Sequence, residues 1–353
     1  MSKQPSVTPA AAPAFSRGFQ AGSDLFKKLV TISPKLPKTT IGLDIGSNAV
    51  KAVALGAPKA GGARPLLGQK LVRLEPGQET DPSGAIKLAV SALQTQTRQV
   101  NLAVSGQWVI MRIVEMPTMK PTEIKQALPF EAQRYLPFNI QDVVIDGAVL
   151  GLADAKKTWV LIVACKKDLI ERRLDWVKRA GLEASLIDVD ALALANSFLT
   201  NLNGRKLIGT RAVINVGAQL TNLVIFQGDA PYLVRDIPWG ADKMIRNVAE
   251  QLGAEAEAVS TALTQPQLNA EMQGAVRLST ESLVTELQLS FDYFENRFGQ
   301  PPEELSVTGG LGESAGFLEG LKSHLTQPVQ PWSPARGLSG QFTVAYGLAL
   351  RAN

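Results

Sequence analysis

Cysteine and histidine are nearly missing from this 353-residue chain, which has one of each, Cys165 and His324. A lone cysteine forms no internal disulfide, which fits a reducing compartment. The same scarcity excludes zinc clusters and Cys–His or Ser–His chemistry. Cys165 ends the apolar run from Trp159 and reads as a small core residue; His324 reads as a surface residue on an amphipathic helix. No apolar run approaches the roughly 18 residues that span a bilayer. The stretch from Lys3 to Ala14 is rich in Pro, Ala and Ser and lacks the continuous apolar core of a signal peptide, so a cytoplasmic location is expected. Basic and aromatic residues do not interleave in the body of the chain, which argues against a nucleic-acid partner.

What is present suits a folded protein of two domains: 45% hydrophobic and 19% charged residues over a length that supports more than one core. The net charge of +4 is gathered in the first 38 residues, where Lys3, Arg17, Lys27, Lys28, Lys35 and Lys38 meet a single acid, Asp24. Five prolines in that tail predict disorder over at least its first dozen residues. Phe15, Phe19, Phe26, Leu29 and Val30 recur there at helical spacing beside Lys27 and Lys28. That pattern fits a basic amphipathic helix on an anionic membrane, a segment packed on the first domain, or a linker.

Two segments rhyme. Ile41 to Val53 and Ala212 to Val224 superpose so that Asp44 falls on Asn215 and Gly46 on Gly217. Each is a β-branched strand ending in Asp or Asn, a tight turn at Gly and a second strand. A glycine at such a tip admits an anion to the backbone N–H groups, and a neighbouring carboxylate can hold a hydrated metal ion. Two such hairpins, one per lobe, could grip the phosphates of one nucleotide. A third element, Leu305 to Gly312, is a strand running into a Gly-rich turn and a helix from about Ser314.

These three elements resemble the phosphate and adenosine motifs of the actin, chaperone and sugar-kinase superfamily. Within it, Glu115-Met116-Pro117-Thr118-Met119, then Glu123 to Ala127, Phe130-Glu131-Ala132 and Tyr135-Leu136-Pro137-Phe138, resemble the PilM family of type IV pilus assembly proteins. Val163 to Lys167, Ala180-Gly181-Leu182, Ile187-Asp188 and Arg235 to Gly240 continue the likeness, which runs from about Leu25 onward. It implies an α/β, actin-like two-lobe fold of duplicated ribonuclease-H-like units with an inserted subdomain of the FtsA and PilM type. The expected layout is a tail over 1–38, a first lobe over 39–75 and 151–210 closed by a helix at 340–353, the insert at 76–150, and the second lobe at 211–339. Strands are expected at 100–104, 109–114, 143–150 and 159–165, and Thr122 is expected to cap a helix that carries Ile124, Ala127, Leu128 and Tyr135 and is kinked by Pro129.

The resemblance also implies site residues. Asp44, Gly46, Ser47, Asn48 and Lys51 match the first phosphate loop, with Asp44 holding magnesium through water. Asn215, Gly217, Ala218 and Gln219 match the second. Gly309, Gly310 and Gly312 match the turn that leaves room for adenine and ribose, and Glu257 the nucleoside contact. Departures from the pattern mark a degenerate ATPase site: Asn215 stands where the family has Asp, Gln219 and Leu220 replace small hydroxyl residues, and Ser260 stands where a lysine is expected. Asp190 is placed to orient an attacking water, or else to begin a helix. The implied partner is the N-terminal peptide of a PilN-like inner-membrane protein, in a groove between the insert and the first lobe lined by Met116, Ile124, Leu128, Phe130, Tyr135 and Pro137. Those same residues could instead be the insert's core.

The reading is therefore a cytoplasmic, actin-like adaptor at the inner-membrane platform of a type IV pilus or related secretion machine, among other platform proteins, with weak or structural binding of ATP and magnesium. The alternatives are an active magnesium-dependent ATPase driving assembly by lobe closure, a membrane-associated filament former similar to FtsA, and a metabolite kinase, for which no acceptor pocket is evident.

Overall fold

The computed structural model describes residues 39–59, 62–202 and 204–351. The basic tail and its amphipathic segment lie outside the described residues.

Five strands make the first sheet: β1 (Thr39–Ile45), β2 (Ala49–Gly56), β3 (Leu66–Arg73), β4 (Gln99–Val104) and β8 (Glu183–Val189), in the order β3-β2-β1-β4-β8. The first three pair antiparallel as hairpins, and β4 and β8 join parallel. A second sheet repeats this plan with β9 (Thr210–Val216), β10 (Thr221–Gln227), β11 (Ala230–Ile237), β12 (Leu305–Gly309) and β13 (Val329–Pro331), ordered β11-β10-β9-β12-β13. Hairpin, hairpin, parallel crossover, parallel crossover: the two lobes have one topology. Near-complete burial along β1, β4 and β10 follows from layers packed on both faces.

The helices fill the crossovers. In the first lobe α1 (Ser83–Ser91) and α3 (Lys167–Arg179) supply Ile86, Val90, Trp176 and Val177 to a core shared with β1, β2 and β4. In the second, α5 (Ala241–Leu252), α6 (Ala256–Ala262), α7 (Ala270–Phe298) and α8 (Ala315–Lys322) bury Val248, Leu283, Phe294 and Phe317 against the sheet. The 29 residues of α7 are capped at the start by Asn269, whose side chain accepts the Met272 amide at 2.8 Å, and at the end by Gly299 with φ +87°. Between the lobes runs α4 (Asp190–Asn201). Last, α9 (Thr343–Leu350) returns to the first lobe and lays Ala345 and Ala349 against Val53 and Leu55, as the shared face of Phe342, Ala345, Tyr346 and Ala349 predicts.

A three-stranded sheet, β5 (Val109–Pro117), β7 (Lys157–Lys166) and β6 (Val143–Leu152), ordered β5-β7-β6, forms the insert with α2 (Pro121–Ala132). Here two assignments change. The expected insert at 76–150 contains α1 and β4, yet β4 pairs parallel with β1 in the first sheet. Conversely β7, expected in the first lobe, is the middle strand of the insert, paired along its length with β5 and β6. β4 is almost wholly buried and β7 mostly so, and such apolar runs carry no mark of which sheet they join. In α2 the helix starts at Pro121, and Glu123 accepts the Lys120 amide at 2.8 Å, so Thr122 is not its cap. Pro129 sits in its last turn, and the helix stops at Ala132, short of Tyr135. Among the described residues no helix is long and apolar enough to cross a membrane.

Candidate functional site

The two rhyming hairpins face one cleft of about 970 Å³ between the lobes. Their turns close identically: Gly46 N–H donates to Ala49 at 3.1 Å, and Gly217 N–H to Leu220 at 2.9 Å. A side chain on Gly217 would meet that carbonyl at 2.8 Å, so the tip is built close. The amides of Ser47, Asn48, Ala218 and Gln219 line the cleft and, among the described residues, donate to no protein acceptor. Four free N–H groups on opposed tips make a cradle for anionic oxygens.

Side chains beneath the tips differ. In the first lobe Asp44 and Lys51 are cross-strand partners and form an ion pair at 2.9 Å. In the second the equivalent pair is Asn215 and Asn222, whose amides bond at 2.9 Å. Asn222 then donates to Asp236 on β11 at 2.8 Å, and the other oxygen of Asp236 accepts the Gly106 amide of the β4–β5 loop at 2.7 Å. A polar chain thus ties the second lobe to the first. Across the mouth Asn48 donates to Asp242, in the first turn of α5, at 2.8 Å.

Asp190 is the first residue of α4 and lines this cleft with no capping bond. Burial, then the charge of Asp44, pushes its carboxyl up to about 7. Burial also raises Asp236, opposed by its bonds from Gly106 and Asn222. Arg173 of α3 reaches in beside Asp190 and Asp44, donating to the Ile45 carbonyl at 2.9 Å, and its Nε finds no acceptor. A carboxyl that exchanges its proton near neutrality, beside a cradle for anions, can hold or orient a water.

Of the residues expected in this site, Asp44, Gly46, Ser47, Asn48, Lys51, Asp190, Asn215, Gly217, Ala218, Gln219, Gly309 and Gly310 line the cleft together. Glu257 and Gly312 do not. Glu257 is exposed on α6, one turn before Ser260, which does border the cleft. Gly312 is required elsewhere, because a Cβ there would lie 2.7 Å from the Thr308 backbone. Gly309, at φ +94°, packs β12 on β9, where a Cβ would stand 2.4 Å from the Val216 oxygen. Of the three, only Gly310 would admit a Cβ without a clash, at an ordinary contact of 3.7 Å from the Val216 oxygen. Arg173, Asn222, Asp236 and Asp242 were not expected here; Asp236 sits in the family-like segment Arg235 to Gly240, whereas Arg173 lies in a charged stretch that reads as a solvated helix face.

The groove residues divide. Met116, Ile124 and Leu128 are the insert's own core and are closed to a ligand, which corrects their expected place in a groove. Phe130, at 77% exposure, Tyr135 and Pro137 are open. At the junction of insert and first lobe, Lys166 lies over the Trp108 and Phe138 rings at 4.5 and 5.0 Å. Cys165 is buried, its thiol pushed up to about 11 by burial, and is unreactive at neutral pH. His324 lies beyond the end of α8, not on it.

Fold and cleft define an actin-like protein of the ATPase-fold class. The model of the family "Type IV pilus assembly protein PilM" matches residues 42–353, and the chain belongs to that family. It is similar to the solved "PilM-PilN type IV pilus biogenesis complex", at 25% identity and TM-score 0.77, with 90% of this chain and 98% of that chain covered. The ethanolamine utilization protein EutJ from Carboxydothermus hydrogenoformans shares the fold at 16% identity and TM-score 0.53, covering 94% of this chain and 99% of that one.

Proposed function

We propose that this chain is an actin-like adaptor of the type IV pilus assembly platform, held at the cytoplasmic face of the inner membrane by the N-terminal peptide of a PilN-like protein. The observation that carries this reading is the family match, joined by similarity to a protein solved as a PilM-PilN complex over nearly the whole chain. The peptide docks where the insert meets the first lobe, on Phe130, Pro137 and the aromatic pair Trp108 and Phe138. Phe130→Asp and Trp108→Ala should each weaken capture of the PilN-like N-terminal peptide, measured by calorimetry with the purified chain. Affinity unchanged in both variants would overturn the docking site.

The cleft fits the phosphates of a nucleotide better than it fits an isolated metal ion. Its free amides suit anionic oxygens, whereas no three Asp, Glu, His or Cys side chains cluster for a cation among the described residues. Magnesium would arrive on the nucleotide's oxygens and supply charge neutralisation there, with Asp44 meeting it through water. The backbone at 47–48 and 218–219 binds and orients the phosphates, and Gly310 leaves space beside the ribose. With amides at Asn215 and Asn222, binding is weak. Titration of ATP with magnesium into the native chain and Asn215→Asp tests this, and tight binding by the native chain would overturn it.

One observation favours a second reading, slow hydrolysis: the Asp190 carboxyl lines the cleft with Asp44 and Arg173 and is pushed up to about 7 by burial and then by the charge of Asp44, as suits a group that orients a water. Phosphate release dependent on magnesium and lost in Asp190→Ala would establish it, and release equal to background would dismiss it.

A further inference from the structure

One charged side chain of the first lobe stands where its helix calls for an apolar one. On α3, Leu169, Trp176, Val177 and Ala180 are buried, and Arg173 lies on the same face, four residues from both Leu169 and Val177. The other basic residues of that stretch face water: Arg172 and Lys178 are exposed, and Arg179 pairs with Asp175 at 2.8 Å. Turning a guanidinium inward strips its water, so burial pushes its pKa down, opposed by the charges of Asp190 and Asp44. A leucine at this position would cost less.

No carboxylate of the protein takes up that charge. Asp44 is paired with Lys51 at 2.9 Å, and among the described residues Arg173 forms no ion pair. Its Nη1 donates to the Ile45 carbonyl at 2.9 Å, the guanidinium carbon lies 5.0 Å from the Trp176 ring centroid, and Nε is covered with no acceptor. Nη2 also has no acceptor among the described residues, but it is not covered, and the side chain lines the cleft between the lobes.

The two hairpins show what sets this contact apart. Ile45 immediately precedes the first tip glycine, and Val216 holds the same place before the second. The Val216 carbonyl accepts the Gly310 amide at 2.8 Å, a neutral backbone donor. The Ile45 carbonyl accepts a guanidinium instead. One side of the phosphate cradle therefore has a full positive charge at this position, and the other side has none there.

We propose that Arg173 binds the terminal phosphate of the nucleotide and makes this cleft prefer a nucleoside triphosphate to the diphosphate. The proposal rests on the reading of the cleft as a nucleotide site. With the ribose beside Gly310, the phosphates lead away from that turn, past the opposed tips, toward the wall formed by Ser105, Arg173 and Asp190. A diphosphate occupies the amides of the tips and stops short of the guanidinium. A triphosphate gives Nη2 its acceptor.

Calorimetric titration of ATP and of ADP, each with magnesium, into the full chain tests this. ATP should bind about tenfold more tightly than ADP, the effect of one hydrogen bond between charged groups. In Arg173→Met, ATP should fall to the affinity of ADP, and ADP should bind as before. Methionine suits the apolar face of α3, and a thermal melt no lower than the native one will show that the variant folds. Arg173→Gln repeats the measurement with a side chain that can still donate to Ile45, and it should lose the preference as well. Arg173 also supports the first tip through Ile45, but loss of that support alone would weaken both nucleotides together. Equal losses for ATP and ADP in Arg173→Met, a preference retained in Arg173→Gln, or equal binding of the two by the native chain would overturn the proposal and leave the nucleotide site standing. No binding of either nucleotide by the native chain would remove both.

Discussion

Across the first hairpin Asp44 faces Lys51; across the second, at the same register, Asn215 faces Asn222. One pair is ionic and closes on itself at 2.9 Å. The other is neutral and hands its hydrogen bonds onward to Asp236 and, through it, to the other lobe. Duplicated backbones have thus been given different work. The first hairpin keeps a carboxylate, paired with Lys51, beside its tip, and the second is part of the strut between the lobes. Backbone amides at the tips need no particular side chain, so the same amide cradle is present at both tips although the carboxylate is present beneath only one.

The comparison can be broken most severely at Gly240, whose added Cβ would stand 2.3 Å from the Ala218 carbonyl that helps shape the second tip. Gly240→Val should cost about 3 kcal/mol or more in a denaturant melt, since backbone must move to admit it. Gly310→Ala, whose Cβ would make only an ordinary 3.7 Å contact with the Val216 oxygen, should cost little in the same melt.

Asp190 sharpens the contrast through pH. Its folded-state proton is held up to about 7, while an unfolded carboxyl releases it near 4. The native state therefore binds the extra proton between those values, so its stabilising effect is full at low pH and is lost as pH rises through 7. Asp190→Asn should raise the melting temperature by several degrees at pH 8 and by little at pH 4. An equal gain at both would show that neither burial nor the charge of Asp44 raises this carboxyl.

Asp44→Ala should weaken binding of ATP with magnesium about tenfold, or about 1.4 kcal/mol. Asn215→Ala should change it by less than threefold, and equal losses in calorimetry would dissolve the asymmetry. Smallest of all, Asn215→Asp should lower the magnesium-free melting temperature slightly, by setting a second carboxylate on the chain to Asp236. Added magnesium and ATP should reverse the loss.

Much of this frame was legible in the residues, for physical reasons. The hairpins announce themselves because the chemistry of a tight turn is local: Asp or Asn, Gly, and β-branched strands on either side. Asp190 was readable too, as a carboxylate at a strand-to-helix junction. The sheet membership of β4 and β7 was not, since each is a buried apolar run whose partners lie far along the chain. Arg173 stayed hidden because Glu171, Arg172 and Asp175 give its helix a solvated look.

One contact bears on how the chain is made. β1 can be completed only by α9, because Gly42 lies so close under Ala345 and Ala349 that no side chain would fit, and the Thr40 hydroxyl donates to the Ala349 carbonyl. The strands and helices of the second lobe, by contrast, form one continuous stretch from Thr210 to Pro331. During synthesis the later lobe can therefore close while the earlier one still waits for its cover. β1 leaves the ribosome before the other described strands yet is among the last to be buried, and a nascent chain stalled before residue 343 would present that bare apolar face to whatever chaperone or neighbour is at hand.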